Sequence, residues 1–176
     1  MAYLITPCEE RISTKAIIWA FPAAFLLLTV EQIATIKGFL PVLFAGITNP
    51  AADLFMPTTA EFAASAGFLL VLALPICYAA ARWLRHGIAV QVYLFGVALL
   101  LVNVVTHILL AIFMRRYVPG EVTLVLIVLP YALYAFYRFF EEHLVEKRVI
   151  LIILVLSALM HLPLAMLALA VGKVLV

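Results

Sequence analysis

The stretch from Gly87 to Arg116 reads GIAVQVYLFGVALLLVNVVTHILLAIFMRR, and its first 28 residues contain no Asp, Glu, Lys or Arg. A helix of that length measures about 42 Å at 1.5 Å per residue, which exceeds the roughly 30 Å hydrocarbon core of a bilayer. Barrel strands would alternate apolar and polar residues, whereas this apolar run is continuous. The stretch therefore predicts a membrane-spanning helix that ends at Arg115 and Arg116.

The composition extends this prediction to the rest of the chain. Of 176 residues, 68% are apolar and 11% are charged, against about 45–50% and about 25% in soluble globular domains. Lipid must then be the solvent for most side chains, and lipid admits only helices or closed barrels. We predict an all-α polytopic transmembrane helix bundle that forms one domain over residues 1–176, with about five spans near 16–36, 61–81, 87–114, 121–139 and 149–171.

The segment between the first two spans, from Phe39 to Thr59, is apolar but interrupted. Its helix breakers and polar residues make an unbroken span improbable. We predict an irregular loop with a short interfacial or re-entrant helix. The interrupting residues are Pro41, Gly46, Asn49, Pro50, Asp53 and Pro57.

Basic residues flank the spans unevenly, and cytoplasmic loops carry the excess of Lys and Arg. The predicted topology places seven on the side of the N-terminus and four on the other, which favours a cell membrane protein with a cytoplasmic N-terminus. A net charge of +2 gives no indication of nucleic-acid binding. The seven are Arg11, Lys15, Arg82, Arg85, Arg138, Lys147 and Arg148; the four are Lys37, Arg115, Arg116 and Lys173.

Polar side chains inside spans are costly and by default face the protein interior. Glu31 and Gln32 lie about five residues from the predicted outer end of the first span, and His107 lies about seven from the outer end of the third. At 1.5 Å per residue, both sites are about 8–11 Å inside the outer boundary. Asn103 is four residues before His107, so both lie on one helix face. We predict that these side chains converge near the outer leaflet.

Three further polar residues are candidate ligand contacts: Ser65, Thr123 and His161. With Glu31 as its carboxylate partner, His107 could act as a base, bind a metal or contact a ligand head group. The alternative is structural, since buried Glu and His side chains also fix helix packing through hydrogen bonds. Two such ligands are too few for a metal site, so we assign no metal, and the sequence names no cofactor.

Two charged turns complete the candidate list. Arg115, Arg116 and Tyr117 are predicted at the membrane interface, where arginines reach phosphate groups and tyrosine sits among the head groups. The sharper alternative is a lid over the Glu31 and His107 site. The stretch from Glu141 to Arg148 is interpreted as a solvated charged turn.

The segment from Asn103 to Tyr134 resembles the distal part of the HXXEE-motif family of small bacterial and archaeal membrane proteins. The resemblance rests on His107, the Phe-Met-Arg-Arg-Tyr-Val-Pro-Gly turn at 113–120, Thr123 and the Leu-Pro-Tyr run at 129–131. It covers roughly Ile17 to Phe136 and implies an architecture and a site location rather than a reaction.

The name-giving motif of that family falls on the first span, where this chain departs from it. Leu28 occupies the position of the motif histidine, Glu31 keeps the first acidic residue, and Gln32 replaces the second. The resemblance therefore implies a site at this place with changed ligands.

Three functions fit these observations. The first is an enzyme-like membrane protein that acts on or binds a lipid or isoprenoid through Glu31, Asn103 and His107. The second is a non-catalytic binding or assembly protein, working as a homo-oligomer or with a membrane protein partner through small-residue helix faces. The third is a small transporter or channel.

Overall fold

The computed structural model describes residues 12–43, 56–85 and 87–176, and within them the chain forms five helices and no strand. Each helix is long and apolar enough to cross a membrane, as predicted. The predicted irregular segment lies largely outside the described residues. The helices are α1 (Thr14–Leu43), α2 (Thr59–Arg82), α3 (Gly87–Met114), α4 (Glu121–Glu141) and α5 (Lys147–Leu175).

Local sequence explains several helix ends. α2 begins with a capping box, in which the Thr58 hydroxyl accepts from the Glu61 amide and the Glu61 carboxylate accepts from the Thr58 amide, so two otherwise unpaired donors are satisfied. α3 ends where Arg115 adopts a left-handed φ of 51° and the Arg116 amide bonds the Ala111 carbonyl, as in a Schellman motif.

α4 is irregular near its start. After one α-helical turn at Glu121–Thr123, the stretch Leu124–Val128 is π-helical, and the α-helix resumes over Leu129–Glu141. Pro130 stands at the beginning of that α-helix and has no amide hydrogen to donate. Wider π turns of this kind often occur at functional sites.

The five helices close into a ring in the order α1, α2, α5, α3, α4, with α4 returning to α1. α2 and α5 approach each other closely, since a Cβ added to Gly172 would lie 2.0 Å from Ser65 Oγ and 2.3 Å from the Glu61 carbonyl oxygen. Absence of a side chain at Gly172 thus lets two helix backbones approach.

Two clusters of buried apolar side chains fill the ring. The larger centres on Tyr93 and Phe139. The smaller lies beneath the α3–α4 turn and consists of Leu28, Leu100, Val104, Leu124 and Val128. Large apolar side chains also cover the outside of all five helices, which is the surface expected of a protein dissolved in lipid.

α1 is longer than the sequence predicted. It continues past Lys37 and Pro41 to Leu43, so Glu31 lies twelve residues from its end rather than five. The depth of Glu31 must therefore be inferred from its neighbours instead of from the end of its helix.

Candidate functional site

Glu31 is bound to the beginning of α4. Its carboxylate accepts hydrogen bonds from the Thr123 amide (2.7 Å), the Val122 amide (3.2 Å) and the Tyr117 hydroxyl. The first amides of a helix have no partner within the helix and carry partial positive charge. Glu31 thus caps α4 from a different helix, and it lies level with the α3–α4 turn.

The α3–α4 turn is seated on the same face of α1. Gly120 has a φ of +85°, and a Cβ built there would lie 2.7 Å from Gln32 Cγ and 2.8 Å from Leu28 Cδ1. Glycine is needed here for both the backbone conformation and the close approach. Leu28 is 1% exposed and belongs to the smaller apolar cluster.

His107 lies on α3 next to this turn. Its neighbours include the Pro119 carbonyl, which accepts a hydrogen bond from the ring, and the charged groups Glu121, Glu31 and His161. Among the described residues its Nδ1 is buried and has no hydrogen-bond partner. In the neutral ring, a proton on Nε2 leaves a lone pair on Nδ1.

Of the remaining predicted site residues, Thr123 and His161 lie near Glu31 and His107, whereas Ser65 does not. Thr123 contributes its amide to Glu31, and His161 lies within electrostatic range of His107. Ser65 is elsewhere: it is buried against Gly172, and its hydroxyl donates to the Glu61 carbonyl at 2.7 Å. Asn103 is half-buried on α3, one turn before His107.

Tyr117 connects the turn to α1. Although 45% of its side chain is exposed, partial burial raises the pKa of the phenol, and the hydrogen bond to Glu31 raises it further. The phenol is therefore held as a neutral donor to a carboxylate. Sequence patterns placed Tyr117 in the interfacial belt but gave no signal of this bond.

No group of three His, Cys, Asp or Glu side chains suited to a metal ion occurs among the residues that the structure describes. The described part of the site instead offers one imidazole with a free nitrogen, a carboxylate engaged by three donors and two exposed arginines. Such a set can accept a hydrogen bond or a proton and can attract an anion.

A second polar cluster lies at the opposite end of α4. Arg138 is 6% exposed and pairs with Glu141 (3.3 Å) and with Glu142, and the Thr14 hydroxyl donates to Glu142 at 2.5 Å. This cluster ties α1 to the turn that was interpreted only as solvated. The spacing from Arg138 to Glu142, one helical turn, is the signal that could have revealed it.

A buried tyrosine pair was also missed. The Tyr93 and Tyr131 hydroxyls lie 2.6 Å apart, and both approach the Ile17 carbonyl, at 3.4 and 3.2 Å. The three residues belong to α3, α4 and α1, so this contact joins three helices. Nothing in the sequence pairs two tyrosines that are 38 residues apart.

These features define a helical membrane protein of five candidate spans whose polar site lies where the first span meets the turn between the third and fourth. The chain belongs to the HXXEE family, described as a protein of unknown function with HXXEE motif, whose model matches residues 19–135. That match covers more than half of the chain and includes every contact of Glu31 described above. No curated protein and no solved structure matches it.

Leu28, Glu31 and Gln32, the residues to which the resemblance assigns the motif positions, share one environment. Leu28 and Gln32 pack against Gly120, and Glu31 caps α4. The spacing i, i+3, i+4 puts all three on one helix face, and that face supports the α3–α4 turn.

Proposed function

We propose that this membrane protein binds a lipid-like molecule at the site around His107, and that His107 accepts a hydrogen bond, or a proton during turnover, from the polar end of that molecule. The observation that carries the proposal is the buried Nδ1 atom of His107, which has no partner among the described residues. Buried polar atoms are nearly always paired. A ligand hydroxyl would complete this one.

The arrangement around His107 favours an acceptor role at Nδ1. In this proposal Nε2 carries the ring proton and donates to the neighbouring Pro119 carbonyl, so that the α3–α4 turn orients the ring and leaves Nδ1 as the acceptor. A histidine fixed through one nitrogen and free at the other is the usual arrangement of a general base.

Glu31 has a different part in this proposal. Its oxygens already accept from Tyr117, Val122 and Thr123, so it is a positioning residue that holds the turn, and the turn in turn holds His107. In this proposal Glu31 acts through the turn, whereas the sequence suggested it as the direct carboxylate partner of His107.

The lipid-like character of the ligand follows from the surroundings of His107. The residues that follow it on α3 are apolar up to Met114, and Leu109, Ile112 and Phe113 are exposed on a helix apolar enough to span a membrane. A ligand that reaches His107 along this surface has to be apolar over most of its length.

A photoactivatable, alkyne-tagged diacylglycerol in lipid nanodiscs tests the proposal, because it is neutral and carries a hydroxyl. Gln at position 107 keeps a donor for the Pro119 carbonyl but has no acceptor at the place of Nδ1, whereas Asn keeps an acceptor near that place. We expect His107→Gln to lose most of the labelling at an unchanged melting temperature, and His107→Asn to keep more of it.

The matched control is His143→Gln, which alters a histidine on the exposed turn after α4. It should label like the unaltered protein. Equal labelling of the His107→Gln variant and the unaltered protein would refute the proposal. If that variant fails to fold, labelling of a folded His107→Asn variant decides, and its complete loss would count against an acceptor at Nδ1.

A further inference from the structure

A shallow groove runs along the outside of α3 beside the His107 site. We call it the arginine groove; its lining residues are Ile108, Ala111, Ile112, Arg115, Arg116, Tyr117 and Glu121. Its wall on α3 is apolar, and its end at the α3–α4 turn carries two guanidinium groups. Glu121 belongs both to this groove and to the charged neighbours of His107, so the groove and the site are adjacent.

We infer that the arginine groove binds the phosphate group of an anionic phospholipid, with an acyl chain lying along the apolar wall of α3. This inference rests on the proposed function and names the head group of the ligand. Guanidinium groups bind phosphate through paired, charge-assisted hydrogen bonds. The apolar wall and the charged end match the two parts of one amphiphile.

The charge of the groove favours an anion. Its two arginines face a single carboxylate, and Glu121 already accepts from the Val118 amide at 3.2 Å through one of its oxygens. This hydrogen bond fixes one oxygen of the Glu121 carboxylate to the backbone of the α3–α4 turn. Both arginine side chains are exposed, and the ion pairs of the described residues do not include either of them.

The backbone conformation of Arg115 makes it possible to remove its side chain without loss of folding. Arg115 occupies the left-handed position that ends α3, with φ 51°, where glycine is favoured because it has no Cβ. Basic side chains do interact favourably with a helix C-terminus, but Arg116 already supplies that charge without left-handed strain.

This strain allows a test that separates binding from folding. Arg115→Gly should preserve or raise the melting temperature while it removes one phosphate contact. The matched control is His143→Gly, because His143 has φ 53° at the end of α4 and the Leu144 amide bonds the Phe139 carbonyl in the same motif. It should raise the melting temperature and leave lipid binding unchanged.

The measurement is native mass spectrometry of the full chain with dioleoyl phosphatidic acid and, in parallel, dioleoyl phosphatidylcholine. We expect the unaltered protein to prefer phosphatidic acid and Arg115→Gly to lose about tenfold of that preference, as one charge-assisted contact implies. Lys37→Gln removes a positive charge from an exposed position of α1 outside the groove, and should leave the preference intact.

The outcomes are distinct. An unchanged preference in Arg115→Gly, or an equal loss in Lys37→Gln, overturns the inference. If Arg115→Gly does not fold, Arg116→Gln decides in the same way. Full competition by inorganic phosphate at equal concentration would overturn the lipid as the source of the phosphate. Diacylglycerol labelling should survive in Arg115→Gly, so the head-group inference can fail while the proposed function stands.

Discussion

Replacing Glu31 by alanine should weaken the beginning of α4 and little else. Two backbone amides, those of Val122 and Thr123, lose their acceptor. The exposed Tyr117 hydroxyl can turn to water and contributes little. Loss of a helix cap costs about 1 kcal/mol, and an unsatisfied buried donor roughly 1–3 kcal/mol. Because Glu31 is only half-buried, we expect Glu31→Ala to lower the free energy of unfolding by about 1–3 kcal/mol.

Two measurements check this expectation. Unfolding in mixed micelles of rising dodecyl sulfate fraction gives the free energy, and amide hydrogen exchange reports the two donors directly. Exchange at Val122 and Thr123 should become roughly fivefold to about a hundredfold faster, since 1.4 kcal/mol corresponds to a factor of ten. Glu31→Gln keeps one acceptor oxygen and should fall between the alanine variant and the unaltered protein.

The control is Glu146→Ala, at the residue before α5, which makes no side-chain capping bond and should change neither quantity. If Glu31→Ala unfolded like the unaltered protein and its two amides stayed protected, the capping role of Glu31 would be wrong. Loss of diacylglycerol labelling in Glu31→Ala, with His107 intact, would then have to arise by direct contact rather than through the turn.

Three further predictions follow from single contacts. Gly172→Ala should lower the free energy of unfolding strongly, by about 2–5 kcal/mol as for other overpacked or broken cores, because the added Cβ would clash with the backbone of α2. The control is Gly67→Ala, which has nothing within 4 Å of the added Cβ and should be neutral or slightly stabilising in the same micelle titration. The contribution of Tyr117 to the free energy of unfolding should be complete below the ordinary phenol pKa of 10.0 and should be lost as pH rises above it, because the raised pKa of Tyr117 means that the folded state binds the phenol proton more tightly than the unfolded state does. Tyr117→Phe should remove this alkaline decrease, and an identical pH profile of stability in both proteins would contradict the prediction. Arg138→Ala should lower the free energy of unfolding by about 1–3 kcal/mol, since it removes a buried guanidinium group that pairs with two carboxylates. Methionine at this buried position should cost less, because it keeps the packing of the side chain; equal losses in thermal melts would argue against a role for packing.

Much of the site could be located from the sequence but not assembled from it. The polar residues inside apolar spans singled out Glu31 and His107, and the turn at 113–120 was identifiable from its residues. The sequence did not show that the partners of Glu31 would be backbone amides of α4. Backbone donors look the same at every position of a sequence, so no pattern marks the two that receive a carboxylate.

Two mistaken or missing details have the same physical origin. The depth of Glu31 was counted from a predicted helix end at Ile36, yet α1 continues to Leu43, because neither a lysine nor a proline near a helix end is enough to stop it. Arg138 was counted among the charged flanks, although it is buried beneath Glu141 and Glu142. Hydropathy along the chain does not record which way a side chain at a helix end points.

The sequence by itself determined the class of fold and the number of candidate spans, because lipid satisfies no backbone groups and so forces each long apolar run into a helix. The residues of the turn at 113–120 and those around it also indicated the family. The tertiary structure alone decided that α4 returns to α1, that Gly120 sits on Leu28 and Gln32, and that His107 keeps one nitrogen free. These depend on how each helix is rotated about its axis and where each turn leads. Side-chain packing between distant segments sets both, and a one-dimensional pattern does not contain it.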